Sequence, residues 1–213
     1  MTERKFELLL GTANWGKTAE IRSALRDLSI HFLTLEHLPM ATPVEESGAT
    51  YEENAVLKAT AYARQFGIWT LADDSGLEVE ALGGEPGVLS ARYAGSEALD
   101  GDRISLLLGQ IAGSPINNRR ARFVTAIALA DSNSMVIHVA RGVCEGRISD
   151  SPRGSHGFGY DPIFVPHGYD ETFGELPSPV KDAISHRGKA LGLMRAHLKE
   201  LIATNLTASV SNS

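Results

Sequence analysis

Apolar and polar positions follow two periods along this chain, and the switches between them lay out its elements. Lys5 to Leu10 reads as a strand, and Ala19 to Leu28 carries apolar residues at helical spacing, with a short strand next at Ile30 to Leu35. Pro39 and Pro43 then frame an extended linker that delivers Glu45 and Glu46 together. Thr50-Tyr51-Glu52-Glu53 forms a capping box, and the alanine-rich run behind it reaches Phe66 before Gly67 stops it, which predicts a helix with Asn54 and Lys58 on one face. Ile68 to Ala72 is a short apolar run ended by Asp73-Asp74-Ser75-Gly76, so a pair of acids is expected at a strand end. Gly83 to Gly95 reads as a loop and Asp102 to Ile111 as a helix. Arg122 to Ala130 and Met135 to Gly142 read as a hairpin about the turn Asp131 to Ser134, with Val143 to Ile148 continuing the second arm or bending away. A closing helix is expected from Ala183 to Ile202. With no repeats and no linker, residues 1–202 are expected to form a single domain, and 203–213 a disordered polar tail.

Strands alternating with helices, together with 21 glycines for tight turns, predict an α/β protein. The net charge of −6 is the wrong sign for gripping a phosphate polymer, so no nucleic-acid polymer is expected as partner. A small anion remains compatible, because local lysines or a divalent cation reverse the sign inside one site. Cys144 is the single cysteine and has no internal disulfide partner. The N-terminal MTERKFELLL has no apolar run of signal-peptide length, so the expected location is the cytoplasm, without a membrane. The glycosylation pattern Asn205-Leu206-Thr207 is then a chance match.

The candidate chemistry sits in a few segments. Gly11 to Thr18, GTANWGKT, satisfies the G-x-x-x-x-G-K-[ST] pattern of a phosphate-cradling loop. A loop between strand and helix presents backbone N–H groups, Lys17, and Thr12 or Thr18 to a phosphate, although the same residues also make an ordinary turn with a solvated lysine. Glu45, Glu46, Asp73 and Asp74 supply the hard oxygens that suit magnesium, one of the two aspartates ligating or acting as base while its neighbour supports the loop. Lys58 reads either as a phosphate contact or as a lysine laid along apolar surface. In and just after HGFGYDPIF, His156 to Phe164, Gly157, Gly159 and Gly168 bracket Phe158 and Tyr160, which suits holding a planar ring beside exposed backbone. Lys181, His186 and Arg187 add groups for phosphate and for a ring carbonyl, so a nucleotide read at both ends is expected.

TANWGK, EESGATYEENAVLKA, ADDSGLEVEALGGEPGVLSARYAG, HGFGYDPIF and KDAISHRGKAL, in that order from about Leu8 to Leu198, resemble the Ham1/RdgB-like family of inosine triphosphate pyrophosphatases. The resemblance implies a two-lobed α/β domain around a long mixed β-sheet with flanking helices, the active site in the cleft between lobes, and a homodimer. It implies hydrolysis of non-standard purine nucleoside triphosphates (ITP, dITP, XTP) to the monophosphate and pyrophosphate, with Mg2+ as cofactor. Residue by residue, it places the phosphate loop on Thr12, Ala13, Asn14, Trp15, Gly16 and Lys17, the metal on Glu45 or Glu46 and Asp74, and the base role on Asp74. Ser75, Lys181 and the base-stacking segment Phe158, Gly159, Tyr160 and Asp161 follow as substrate contacts, with His186 and Arg187 reading the base. The family usually has glycine at Ala13 and a small aliphatic residue at Trp15; a positive φ there would strain Ala13 by about 1 kcal/mol. A P-loop NTPase or kinase, cleaving at the γ-phosphate, and a non-catalytic nucleotide-binding module are the competing readings.

Overall fold

β1 (Phe6–Leu10) takes its place in the core through Leu8, Leu9 and Leu10, all fully buried. It pairs in parallel with β2 (Ile30–Thr34) on one side and β3 (Thr70–Val79) on the other. The computed structural model describes residues 5–38, 40–113, 115 and 118–210, except the side chains of 205–210, so Pro39 of the expected linker lies outside the described residues. β4 (Arg120–Ala130), β5 (Val136–Ile148) and β6 (Phe164–Pro166) complete a six-stranded sheet of order β2-β1-β3-β4-β5-β6. β6 runs antiparallel to β5, which makes the sheet mixed.

The helices are α1 (Trp15–Ala24), α2 (Tyr51–Phe66), α3 (Asp100–Gln110), α4 (Ser178–Ile184) and α5 (His186–Val210). The expected α/β class and mixed sheet with flanking helices are borne out. α2 begins as its sequence dictates: Thr50 Oγ1 accepts from Glu53 N–H at 3.1 Å, the Glu53 carboxylate accepts from Thr50 N–H at 3.3 Å, and Gly67 ends the helix at φ +65°.

The chain divides into two compact units, the first Met1–Asp74, Ala126–Arg141 and Ala190–Ser213, the second Ser75–Thr125 and Gly142–Lys189. In the first, Ile21 of α1 and Leu191, Met194 and Leu198 of α5 pack with Leu8, Leu10, Leu71, Ile127 and Leu129 of the strands. In the second, Ile104 and Leu107 of α3 pack with Leu77, Val79, Phe123, Phe164 and Phe173. No helix among the described residues is long and apolar enough to cross a membrane.

The boundaries differ from the sequence reading at informative places. α1 starts at Trp15, inside the expected loop, because the Asn14 side chain accepts from Lys17 N–H at 3.0 Å and caps it. β3 does not stop at Ala72 but runs through Asp73 and Asp74 to Val79. It can do so because the two acids find partners in the interior and because Gly76 admits close backbone: a Cβ there would lie 2.1 Å from the Gly87 carbonyl oxygen. β5 continues through Val143 to Ile148 as one strand. The closing helix is broken at Ser185, whose φ of −66° and ψ of 160° are extended. Ser185 Oγ accepts from Gly188 N–H at 3.0 Å and thereby starts α5 afresh at His186. α5 itself continues past Ile202 to Val210.

Candidate active site

Within the first unit, β3 sets the geometry. Successive side chains of a strand leave opposite faces, so Asp73 and Asp74 meet different partners. Asp73 Oδ2 lies 3.2 Å from Lys17 Nζ, which places the phosphate-loop lysine on a buried acid. Asp74 turns toward α2: its Oδ2 accepts from Asn54 Nδ2 at 3.0 Å and its Oδ1 lies 3.9 Å from Lys58 Nζ. Lys58 also donates to Glu46 Oε1 at 2.6 Å. Asn54 and Lys58 thus share the face their spacing predicted, and Lys58 is an ion-pair partner rather than a lysine merely laid along apolar surface. Of the acid pair, Glu46 reaches this set while Glu45 is exposed. Burial holds the Asp74 carboxyl above its ordinary value of 3.8, and the lysines Lys58 and Lys17 and the Asn54 hydrogen bond only partly offset it. For Lys58 burial acts downward, but Asp73, Glu46 and Asp74 outweigh it and hold the ammonium above its ordinary value.

The loop before α1 is divided between tasks. Asn14 caps the helix, Lys17 turns to Asp73, and Thr12, Ala13 and Trp15 line a cavity of about 270 Å³ with Arg22, Glu36 and His37. Trp15 is 71% exposed. Among described non-glycine residues only Ser134 has a left-handed φ, so Ala13 carries none of the strain that a required positive φ would impose.

In the second unit the glycine-aromatic segment is tied down from several sides. Gly159 N–H donates to Asp100 Oδ2 at 2.7 Å at the start of α3, and Phe158 N–H donates to Asp161 Oδ2 at 2.8 Å. Asp161 is buried and ion-paired with Lys181 of α4. The Lys181 ammonium lies 4.9 Å from the centroid of Phe158, and the Arg187 guanidinium 5.7 Å from the same ring. Arg187 is only 1% exposed and donates to Ser75 Oγ at 2.9 Å. Tyr160 points into the core, its hydroxyl donating to the Ser90 carbonyl at 3.0 Å, and burial raises its pKa far above the ordinary phenol value. Phe158, half-buried, is therefore the ring of this segment left for a ligand.

Several supporting residues escaped the sequence reading. Phe123 of β4 lies 4.7 Å from His186, ring to ring and within 11° of parallel, which fixes the imidazole plane. Asp100 and Ser185 are the others, and only Ser185 had a signal, a serine three residues before a glycine at the break. The described residues hold no cluster of three or more His, Cys, Asp or Glu placed for a metal.

A helix N-terminus beside buried acids and lysines, and a ring flanked by cations, are the equipment of a protein that handles a nucleotide. The family follows from comparison with known proteins. The sequence profile of the Ham1 family matches residues 8–197, and the chain belongs to that family, as the five motifs led us to expect. It is 42% identical to a protein of Rhodopirellula baltica named dITP/XTP pyrophosphatase, over 97% of this chain and 99% of that one. A protein of the same name from Mycobacterium bovis is 45% identical over 92% of this chain and 96% of its own. A Ham1 protein from Coxiella burnetii, of solved structure, is 42% identical with a TM-score of 0.82, covering 92% and 99% of the two chains.

Proposed function

We propose that this chain hydrolyses non-standard purine nucleoside triphosphates, ITP, dITP and XTP, at the α–β phosphoanhydride, releasing the nucleoside monophosphate and pyrophosphate. The observation that carries the reading is the buried Asp74, held by Asn54 and set 3.9 Å from a lysine that also binds Glu46. The names of the relatives support it, since proteins 42% and 45% identical over nearly their whole length are dITP/XTP pyrophosphatases.

The donor set fits magnesium. Glu46 and Asp74 offer hard carboxylate oxygens, and with Asp73 they set three acids around Lys58 and Lys17. Magnesium takes one or two protein carboxylates and fills the rest of its shell with water and phosphate. When bound it would neutralise phosphate charge and polarise the reacting phosphorus. The chain's own residues do the rest. Asp74, whose raised pKa makes it a better base than an ordinary aspartate, accepts the proton of the attacking water as the α-phosphorus to bridging-oxygen bond breaks. Lys17 and Lys58 share the charge developing on pyrophosphate. At the α1 terminus, which Asn14 caps, the backbone N–H groups of Ala13, Trp15 and Gly16 are presented to phosphate with Thr12 beside them.

The base belongs to the second unit's residues. Phe158 stacks on it, and His186 or Arg187 donates to the 6-keto oxygen, a donor that adenine's 6-amino group leaves unpaired. Ser75, which holds Arg187, follows Asp74 directly in the chain. Lys181 and Asp161 support the Phe158 ring, with Gly159 and Tyr160 shaping its loop.

The test is product identification with ITP, XTP, dITP, ATP and GTP in Mg2+. Pyrophosphate with the monophosphate from the first three is expected; orthophosphate with a diphosphate would instead support a P-loop NTPase. We further propose a cytoplasmic homodimer that forms without nucleotide through the segment around Leu89, which is 47% exposed in the Gly87–Arg92 turn. Light scattering of the parent and of Leu89→Glu checks this: a dimer turning to monomer is expected, and a monomeric parent rejects it.

A further inference from the structure

We propose that Asn54 is the positioning residue of the metal site, a single amide that clasps the loop bearing Glu46 to Asp74 and so sets the two carboxylates relative to each other. The inference rests on the metal assignment above. Asn54 is 0% exposed and uses both ends of its side chain. Its Nδ2 donates to Asp74 Oδ2 at 3.0 Å, and its Oδ1 accepts from Gly48 N–H at 2.8 Å. The partners fix that orientation, since a carboxylate only accepts and a backbone N–H only donates. An aspartate at this position would face Asp74 with a second negative charge, and an alanine would leave the Gly48 N–H and one Asp74 oxygen without their bond.

The loop side is equally specific. Gly48 sits so close to the helix that a Cβ would lie 2.7 Å from Asn54 Oδ1 and 2.7 Å from Glu53 Cβ. Ala49 and Thr50 N–H groups both donate to the Glu53 carboxylate, so the stretch from Gly48 to the helix cap is strapped to the first turn of α2. One turn further along α2, Lys58 takes Glu46 itself at 2.6 Å. A single helical face therefore grips the loop acid and the strand acid. Asn54 acts through Asp74 and Gly48; its amide has both bonding directions engaged by protein, which makes it a positioning group.

Outer partners of metal ligands typically change metal affinity or activity 10- to 100-fold when removed. The test measures Mn2+ binding to the nucleotide-free chain by electron paramagnetic resonance, for the parent, Asp74→Asn, Asn54→Ala and Gly48→Ala, with hydrolysis of ITP titrated against Mg2+ alongside. For Asn54→Ala we expect Mn2+ affinity to fall about 10- to 100-fold and the Mg2+ half-saturation to rise in step, with most of the lost rate returning at saturating Mg2+. Gly48→Ala, which leaves both acids and Asn54 in place but sets a methyl group against the amide oxygen, should move both quantities the same way by less, and it decides the matter alone should Asn54→Ala fail to fold. If Asp74→Asn loses Mn2+ while Asn54→Ala and Gly48→Ala both bind within about threefold of the parent, Asn54 has no positioning role and the metal assignment stands. A parent that binds no Mn2+ overturns both.

Discussion

The two units carry their charges in opposite ways. In the first, Asp73, Asp74 and Glu46 crowd around Lys17 and Lys58, and for Asp74 burial outweighs the offset from the lysines and Asn54 and holds its carboxyl above the ordinary value. In the second, the cations are held differently: Lys181 is ion-paired with Asp161, Arg187 donates to the neutral Ser75 hydroxyl, and both lie over the Phe158 ring. Three acids around two lysines suit a cation and a triphosphate, whereas two buried cations beside a ring, one ion-paired and one on a hydroxyl, suit presenting donors to a base. Rate should therefore depend on the first unit and selectivity on the second.

The largest expected effect is on turnover. Asp74→Asn keeps the shape and the Asn54 contact but removes the base and a metal oxygen, so kcat should fall on the order of a hundredfold or more. A variant within threefold of the parent would remove Asp74 from the chemistry.

Stability should separate the units next. Asp161→Asn breaks a buried ion pair one-sidedly and leaves Lys181 uncompensated, which typically costs about 3 kcal/mol, read as a lowered urea midpoint. An unchanged urea midpoint would mean that Asp161 does not compensate the Lys181 charge as described.

The smallest effect has the opposite sign. In metal-free buffer Asp74→Asn should raise Tm, because it relieves a buried carboxylate. Native Asp74 holds its proton to higher pH than the unfolded chain does, so parent stability falls as pH rises from the ordinary 3.8 through the raised native value. The gain should thus be full near neutral pH and vanish below about pH 4, where both states are protonated. A differential Tm that grows on acidification would contradict the cause given for the shift.

Much of this was legible in the sequence, and the misses have a common origin. The capping box at Thr50 and Glu53 and the stop at Gly67 are local, and α2 came out as read. The i, i+4 pair Asn54 and Lys58 was visible as a shared face, but its meaning was not, because Glu46, Gly48 and Asp74 reach it from other elements. Asp73-Asp74-Ser75-Gly76 reads as a loop by composition, yet it is strand, because Lys17 and Lys58 supply the charge that lets acids stay in a sheet interior. The start of α1 was missed because Gly11 to Thr18 read as one phosphate-cradling loop and Gly16 is a weak helix former, although Asn14 is a good cap. Tyr160 looked like a wall residue until its hydroxyl was found on the Ser90 carbonyl, a contact across a long stretch of sequence.

The division of labour is tested most directly by the ratio of ITP to ATP specificity constants in Lys58→Met, His186→Ala and Arg187→Ala. Lys58→Met should lower kcat/KM for both nucleotides together and leave the ratio within about threefold, since its ammonium meets only charge common to every triphosphate. His186→Ala or Arg187→Ala should narrow the ratio by about tenfold, the worth of roughly one unpaired hydrogen bond. A ratio unchanged in both base-reading variants, or moved as far by Lys58→Met, would contradict the account.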